Sequence, residues 1–188
     1  MTQKTCFVIM AIGDQSDSGR VVSSTELRTK YNDLIKEAII KAAPNMEIIR
    51  ADAVAMPGSI TSDVIGRIIH SDLVVADITY PNPNVFYELG LRHATKSGTI
   101  IIKDKQGPRA PFDIANLRYI EYDNTVSGLK ELSESMRGFI DFTFANPEKP
   151  DNMFLEFAKF TKYKSFDFSE NDQLDSNTEM MLAVLGNP

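Results

Sequence analysis

Apolar residues along this chain fall into short runs that alternate with longer stretches of helical spacing. The first run, residues 5–11, has no apolar–polar alternation, as expected of a strand buried on both faces. Further strands are predicted at residues 46–50, 73–78, 99–103 and 118–122, and helices at 26–43, 59–71, 83–96 and 126–144. This alternation predicts a doubly wound α/β fold with a mostly parallel five-stranded sheet and helices on both faces, flavodoxin-like or Rossmann-like in type.

Three polar segments follow predicted strands and indicate where a ligand would bind. They cover residues 13–24, 50–59 and 77–88. A doubly wound sheet binds ligands beyond the carboxyl ends of its strands. Candidate functional residues are therefore expected in these three segments.

The composition excludes several kinds of site. The 188 residues include one Cys and two His, which leaves no disulfide framework, no cysteine-based zinc site and little for a histidine-rich metal centre. No stretch of about 18 uncharged apolar residues is present, so no membrane span is expected. The N-terminal apolar run ends at Gly13-Asp14 without a small-residue cleavage site, and the protein is expected to be cytoplasmic.

The net charge of −6 is concentrated near the C-terminus. Residues 145–188 hold eight acidic residues and four Lys, whereas residues 1–144 hold 18 acidic and 16 basic residues. We therefore expect a nearly neutral α/β domain over 1–144 and an acidic extension over 145–188. Its aromatic residues suit a packing arm, a loose tail or a partner-binding segment, and residues 178–185 could form a short amphipathic helix. Nucleic acid is disfavoured as a partner, and a small molecule is the expected ligand.

The clearest chemical signal is a pair of carboxylates on either side of one turn. A buried strand ends in Asp77, a turn rich in Pro and Asn follows, and Glu88 lies close to the start of the next helix. Both are expected to face one crevice, with the helix N-terminus keeping Glu88 ionised. Such a carboxylate can act as a nucleophile at a sugar anomeric carbon, while a second orients a hydroxyl or transfers a proton. The structural alternatives are a cap for Asp77 and a partner of the helix dipole for Glu88.

These motifs resemble the nucleoside 2-deoxyribosyltransferase-like superfamily, which includes deoxynucleoside monophosphate N-glycosidases. The resemblance covers about residues 4–122 and extends to one bacterial branch whose activity is inferred from distant relatives. It rests on Cys6-Phe7-Val8-Ile9-Met10, Arg50-Ala51-Asp52, Asp77 followed by Asn84-Val85-Phe86-Tyr87-Glu88-Leu89-Gly90, and Pro111-Phe112-Asp113-Ile114.

The resemblance implies a role for each matching residue. Glu88 would be the nucleophile on the sugar C1′, and Asp77 would place the sugar or protonate the base. The loop after the first strand would bind the ribose or a 5′-phosphate, and a mobile surface loop is the alternative. The resemblance also implies a homo-oligomer, a dimer or larger, with no metal and no bound cofactor. The loop residues concerned are Gly13, Ser16, Ser18, Gly19 and Arg20.

Other residues in these segments are candidate substrate contacts with structural alternatives. Arg50 and Asp52 follow the second strand and would contact the ligand or form a surface ion pair. Asn84 would contact substrate or cap the helix, and Tyr87 would stack on a base or pack in the core. Gly90 in the helix interior costs about 1 kcal/mol relative to Ala, and its expected reason is close approach to the sheet.

Three functions are open from the sequence. The leading one is cleavage or transfer at the N-glycosidic bond of a nucleoside, a nucleotide or a nucleotide-derived cofactor. A nucleotide-sensing module without turnover would use the same crevice. Toll/interleukin-1 receptor domains are similar in layout and can cleave the nicotinamide–ribose bond of NAD, so an NAD hydrolase acting in defence is the third.

Overall fold

The computed structural model describes residues 3–17, 19–51 and 60–161, and a sheet of five parallel strands runs through it. A two-stranded antiparallel hairpin follows the first strand. The order across the main sheet is β4-β1-β5-β6-β7. In chain order the strands are β1 (Thr5–Ile9), the hairpin strands β2 (Gln15–Asp17) and β3 (Arg20–Val22), β4 (Glu47–Arg50), β5 (Leu73–Asp77), β6 (Thr99–Asp104) and β7 (Tyr119–Tyr122).

Helices connect the strands of the main sheet. A π-helical segment, Tyr31–Lys36, joins the first two helices into one continuous element. In chain order the helices are α1 (Ser24–Lys30), α2 (Glu37–Ala42), α3 (Ile60–His70), α4 (Pro83–Thr95), α5 (Phe112–Ala115), α6 (Val126–Ala145) and α7 (Met153–Thr161).

Both faces of the sheet are covered by helices, which explains why β1 is apolar at every position from Cys6 to Ile9. Cys6 and Val8 point into a core formed with α1, α2 and α6, whereas Phe7 and Ile9 point into a second core formed with α3 and α4. The doubly wound α/β fold predicted from the sequence is therefore confirmed.

A crevice is expected where the connections from two neighbouring strands diverge. β1 leads through α1 and α2 to β4 on one side, whereas β5 leads through α4 to β6 on the other. Ligands of doubly wound folds bind at this switch point, outside the carboxyl ends of the strands. The loops after β1 and β5 therefore border the candidate site.

The polar segment 13–24, predicted only as a loop, contains the β2–β3 hairpin. Its strands are three residues long, which is too short for a hydrophobic alternation to mark them. Gly19 adopts a φ of 86° in the turn between them, a conformation that glycine adopts without steric strain.

The first part of the C-terminal extension packs against the α/β domain. Asp151 Oδ2 accepts hydrogen bonds from the backbone N–H groups of Gly98 and Thr99, at 2.8 and 2.7 Å. Helix α7 contacts α4. Residues 162–188, including the helix predicted at 178–185, lie outside the described residues. The described part thus corresponds to the packing-arm alternative.

Within the part of the chain that the structure describes, no helix is both long enough and apolar enough to cross a membrane.

Candidate functional site

The turn between β5 and α4 is built by Asn82, which caps α4. Its Oδ1 accepts the backbone N–H groups of Asn84, at 3.0 Å, and Val85, at 3.4 Å. Pro83 begins the helix, where a missing N–H is no loss. The expectation that Asn84 caps the helix is wrong, because Asn84 lies inside its first turn and Asn82 has the extended backbone of a cap.

Glu88 lies in the second turn of α4, beside the stripe that faces the sheet. Val85, Leu89 and Arg92 form this buried stripe, and Glu88 is half-buried on its flank. Among the described residues, no hydrogen bond or ion pair engages the Glu88 carboxylate. Burial raises its pKa from the ordinary 4.5 to about 7.

This pKa corrects the expectation that the helix N-terminus keeps Glu88 ionised. The helix dipole acts within the first turn, and α4 has no acidic residue there. Loss of water, with no compensating donor, therefore dominates and favours the protonated form.

The flank of α4 on which Glu88 lies is opposite the one that is nearer to Asp151. His93 lies about 140° around the helix from Glu88, on the other side of the buried stripe. Burial lowers the pKa of His93, and the nearby Asp151 carboxylate partly offsets this. Because α4 packs on α3 and Asp151 lies at the start of β6, we infer that the flank of α4 that holds Glu88 is the one nearer to α3 and β1. That is the side of the switch point.

Asp77 is held in a different environment on the opposite face of the sheet. It is only 4% exposed. Its Oδ1 accepts both the N–H and the hydroxyl of Thr79, and its Oδ2 accepts the Tyr122 hydroxyl at 3.0 Å. Burial raises the pKa of Asp77, and these hydrogen bonds and the charge of Lys30 oppose the rise. The geometry thus shows a structural task for Asp77, and its role toward a ligand stays a prediction.

A buried ion pair completes this network. Lys30 Nζ lies 2.6 Å from Asp104 Oδ2, and both side chains are buried. The Lys30 ammonium also lies 5.6 Å from the ring centroid of Tyr80 and 5.9 Å from that of Tyr122. The Asp104 N–H donates to the Thr79 hydroxyl at 2.9 Å. The carboxyl ends of β5, β6 and β7 are thereby connected to α1.

This network was not predicted from the sequence, although one signal of it is present there. Lys30 lies on the apolar stripe of its helix, between Leu27 and Leu34, and a charge on such a stripe indicates a buried partner. No sequence pattern identified Asp104 as that partner, because the two residues lie 74 positions apart.

The loop after β1 is ordered by local hydrogen bonds. Gly13 adopts a φ of 82°, in the left-handed region that favours glycine. Asp14 Oδ1 accepts the backbone N–H of Ser24 at 2.7 Å, at the start of α1. The Gln15 side chain contacts both this loop and Asn82.

The candidate phosphate-binding residues of the loop have distinct positions. Ser16 is exposed on β2, and Gly19 lies in the hairpin turn. Arg20 is exposed and pairs with Glu26 at 2.9 Å. Ser18 lies outside the described residues. Any anion that Arg20 binds would therefore compete with a surface carboxylate for the guanidinium.

Of the other predicted contact residues, Arg50 and Tyr87 are described, and neither contacts the Glu88 carboxylate. Arg50 is buried, its guanidinium stacks on the Tyr31 ring at 4.4 Å, and Nη1 lies 3.4 Å from the Met10 sulfur. Tyr87 is 61% exposed, so the core-packing alternative for it is wrong. Asp52 lies outside the described residues.

Among residues 3–17, 19–51 and 60–161, no group of three or more His, Cys, Asp or Glu is arranged to hold a metal ion. The site is thus described by one unpaired carboxylate, Glu88, a capped turn and the hairpin loop.

Comparison with known proteins shows no family for this chain. No protein-family model and no curated protein matches this chain. The solved structure of the lysine decarboxylase LdcF of Francisella novicida is similar over 97% of this chain and 23% of that chain, with 15% identity and a TM-score of 0.43. For the constitutive lysine decarboxylase of E. coli the coverages are 97% and 24%, with 12% identity and a TM-score of 0.43. This chain spans less than a quarter of either decarboxylase.

Proposed function

We propose that this protein cleaves or transfers at the N-glycosidic bond of a nucleoside, a nucleotide or a nucleotide-derived cofactor, with Glu88 as the nucleophile. One observation carries the proposal: Glu88 is half-buried, has a raised pKa and has no partner among the described residues. Structural carboxylates that lose water normally gain a cation or a hydrogen-bond donor in exchange. An unpaired carboxylate directed toward the switch point of a doubly wound sheet is a candidate for chemistry.

The chemistry proceeds in two displacements. The ionised Glu88 carboxylate attacks C1′, the C1′–N bond breaks, and the base leaves with the electron pair of that bond and takes up a proton. Water then displaces the glutamyl ester, which restores the carboxylate and releases the free sugar. If a second nucleobase instead of water displaces the glutamyl ester, the reaction transfers the sugar to that base. With a pKa of about 7, about half of the Glu88 carboxyl groups are ionised at neutral pH.

The surrounding residues support this chemistry by fixing the elements that carry it. Asp77 and Tyr122 hold the end of β5, and Asn82 holds the start of α4. The N-terminus of the helix that carries Glu88 is therefore held in place by the end of β5 and by the Asn82 cap. The resemblance of the segment 77–90 to deoxyribosyltransferase-like proteins agrees with this assignment and is an independent, sequence-level support.

Release of free base from a substrate panel tests the proposal. The purified protein is incubated separately with 2′-deoxynucleoside 5′-monophosphates, nucleosides and NAD, and the products are separated by chromatography. We expect one class to be cleaved and Glu88→Gln to reduce the rate by at least about 10³-fold. Glu134→Gln, an exposed glutamate on α6, is the matched control and should retain the rate within about twofold.

The remaining outcomes separate the alternatives. Cleavage that Glu88→Gln leaves unchanged would contradict the role of this residue. Nicotinamide release alone would favour an NAD hydrolase. Tight nucleotide binding with no product in any arm would replace the enzyme proposal by a sensing module.

A further inference from the structure

We propose that Gln15 is a positioning residue, which locks the β2–β3 hairpin to the cap of α4 across the crevice. The two loops concerned follow β1 and β5, which are neighbours in the sheet, with Ile9 opposite Ala76. Their hydrogen bond therefore crosses the switch point at which we place the ligand. The effect on a ligand depends on the proposed function, but the contact can be tested without one.

Both the nitrogen and the oxygen of the Gln15 side-chain amide form hydrogen bonds, and their partners allow only one orientation of the amide. Nε2 donates to the carbonyl oxygens of Gly13 and Asp14, at 3.1 and 3.0 Å. Oε1 accepts the Asn82 side-chain N–H at 3.2 Å. Exchanging the amide nitrogen and oxygen would set carbonyl against carbonyl and donor against donor. The surrounding groups thus determine how this side chain is oriented.

Both polar atoms of the Asn82 side chain also form hydrogen bonds. Its Nδ2 donates to Gln15, and its Oδ1 is the acceptor that caps α4. Gln15 thus orients the Asn82 side chain. Asn82 in turn accepts hydrogen bonds from the first N–H groups of the helix that carries Glu88. Because Asp14 also accepts the N–H of Ser24, the loop is held at the start of α1 as well.

Two substitutions remove the bridge without removing the cap. Asn82→Asp keeps a good capping oxygen and loses the donor to Gln15. Gln15→Met keeps the side-chain length and loses both amide groups. Asn84→Asp is the matched control, since it places the same carboxylate two residues further along, at an exposed position.

Backbone amide exchange measured by NMR tests the contact directly. We expect Asn82→Asp to speed exchange of the β2–β3 amides about fivefold, as for loss of one hydrogen bond. Gln15→Met should speed exchange of these amides and of Asn84 and Val85, and the double variant should add little further. The amides of β5 and β6 should be unchanged in all variants, and Asn84→Asp should leave the hairpin unchanged.

Two results would overturn the proposal. One is unchanged amide exchange of the hairpin in Asn82→Asp. The other is an equal acceleration of exchange throughout β5 and β6, which would indicate only general destabilisation.

If the substrate panel identifies an activity, Asn82→Asp should raise KM several-fold and change kcat less than about twofold. A fall in kcat alone would contradict the assignment to the loop. If the panel identifies none, the proposed function fails while the exchange result still decides the role of Gln15.

Discussion

At the residue scale, the two carboxylates of the segment 77–90 have different surroundings although they are close in sequence. Asp77 follows the alternation of β5 and points to the same face as Val75. There Thr79 and Tyr122 donate hydrogen bonds to its two carboxylate oxygens. Glu88 lies on a helix that packs on the other face and has no such donors. Burial raises the pKa of both, but only Glu88 is left unpaired among the described residues.

The raised pKa of Glu88 predicts how the stability of the protein depends on pH. Between the ordinary value of 4.5 and about 7 the folded state binds more protons than the unfolded state, so this group lowers stability as pH rises through that window. Glu88→Gln does not ionise. Relative to wild type, it should therefore gain about 1–2 kcal/mol from pH 5 to pH 8, after allowance for the solvent that reaches a half-exposed side chain.

Urea unfolding of both proteins at pH 5 and pH 8 measures this change. Glu134→Gln, at an exposed position, should show the same difference from wild type at both pH values. A pH-independent difference for Glu88→Gln would mean that the carboxylate is better solvated than its position indicates.

At the element scale, α4 is organised by Arg92 at one end and by Asn82 at the other. The fully buried Arg92 guanidinium donates to backbone carbonyls in two segments, which include those of Ile68, Ser71 and Ser97 at 2.6–2.9 Å. Burial lowers the pKa of Arg92 to about 10. This charge therefore joins α4 to the end of α3 and to the turn before β6.

The same helix contains a glycine whose presence the packing does not require. The expectation that Gly90 allows close approach to the sheet is wrong: it is exposed, and among the described residues outside its own helix a Cβ there would meet no atom within 4 Å. Gly90→Ala should therefore stabilise the protein by about 1 kcal/mol, through helix propensity alone. Chemical denaturation measures the gain.

Gly98→Ala is the contrasting substitution. Gly98 has a φ of 90°, and an added Cβ would lie 2.7 Å from the Asp72 carbonyl oxygen, so this variant should be destabilised. If Gly90→Ala also destabilised the protein, an unrecognised contact of the outer face of α4 would be the explanation.

At the scale of the whole molecule, the first part of the C-terminal extension completes the α/β domain. Asp151 supplies the acceptor for two N–H groups at the start of β6, which would otherwise lack one. Asp151→Ala should therefore destabilise the entire protein, by about 1–3 kcal/mol. The midpoint of urea unfolding is the measurement, with Asp141→Ala, at an exposed position on α6, as control. Equal midpoints for the two variants would show that the extension contributes nothing to the cooperative unit.

Much of the fold follows from local pattern. The apolar run of β1 and the helical spacing of α6 predict their elements within one or two residues at most ends, because burial imposes periods that a single segment records. The hairpin and α7 were not predicted as elements. The strands of the hairpin are too short for a periodic signal. Helix α7 carries exposed aromatic residues such as Phe157 and Phe160 and has no buried residue.

The sequence by itself determined the fold class, the two carboxylates and the polar segments that border the crevice. Only the tertiary structure decided that Asp77 and Glu88 lie on opposite faces, that Lys30 pairs with Asp104, and that Gln15 reaches Asn82. The reason is physical. Periodicity reports how each segment is buried, whereas hydrogen bonds and desolvation depend on which distant residues the sheet order brings together.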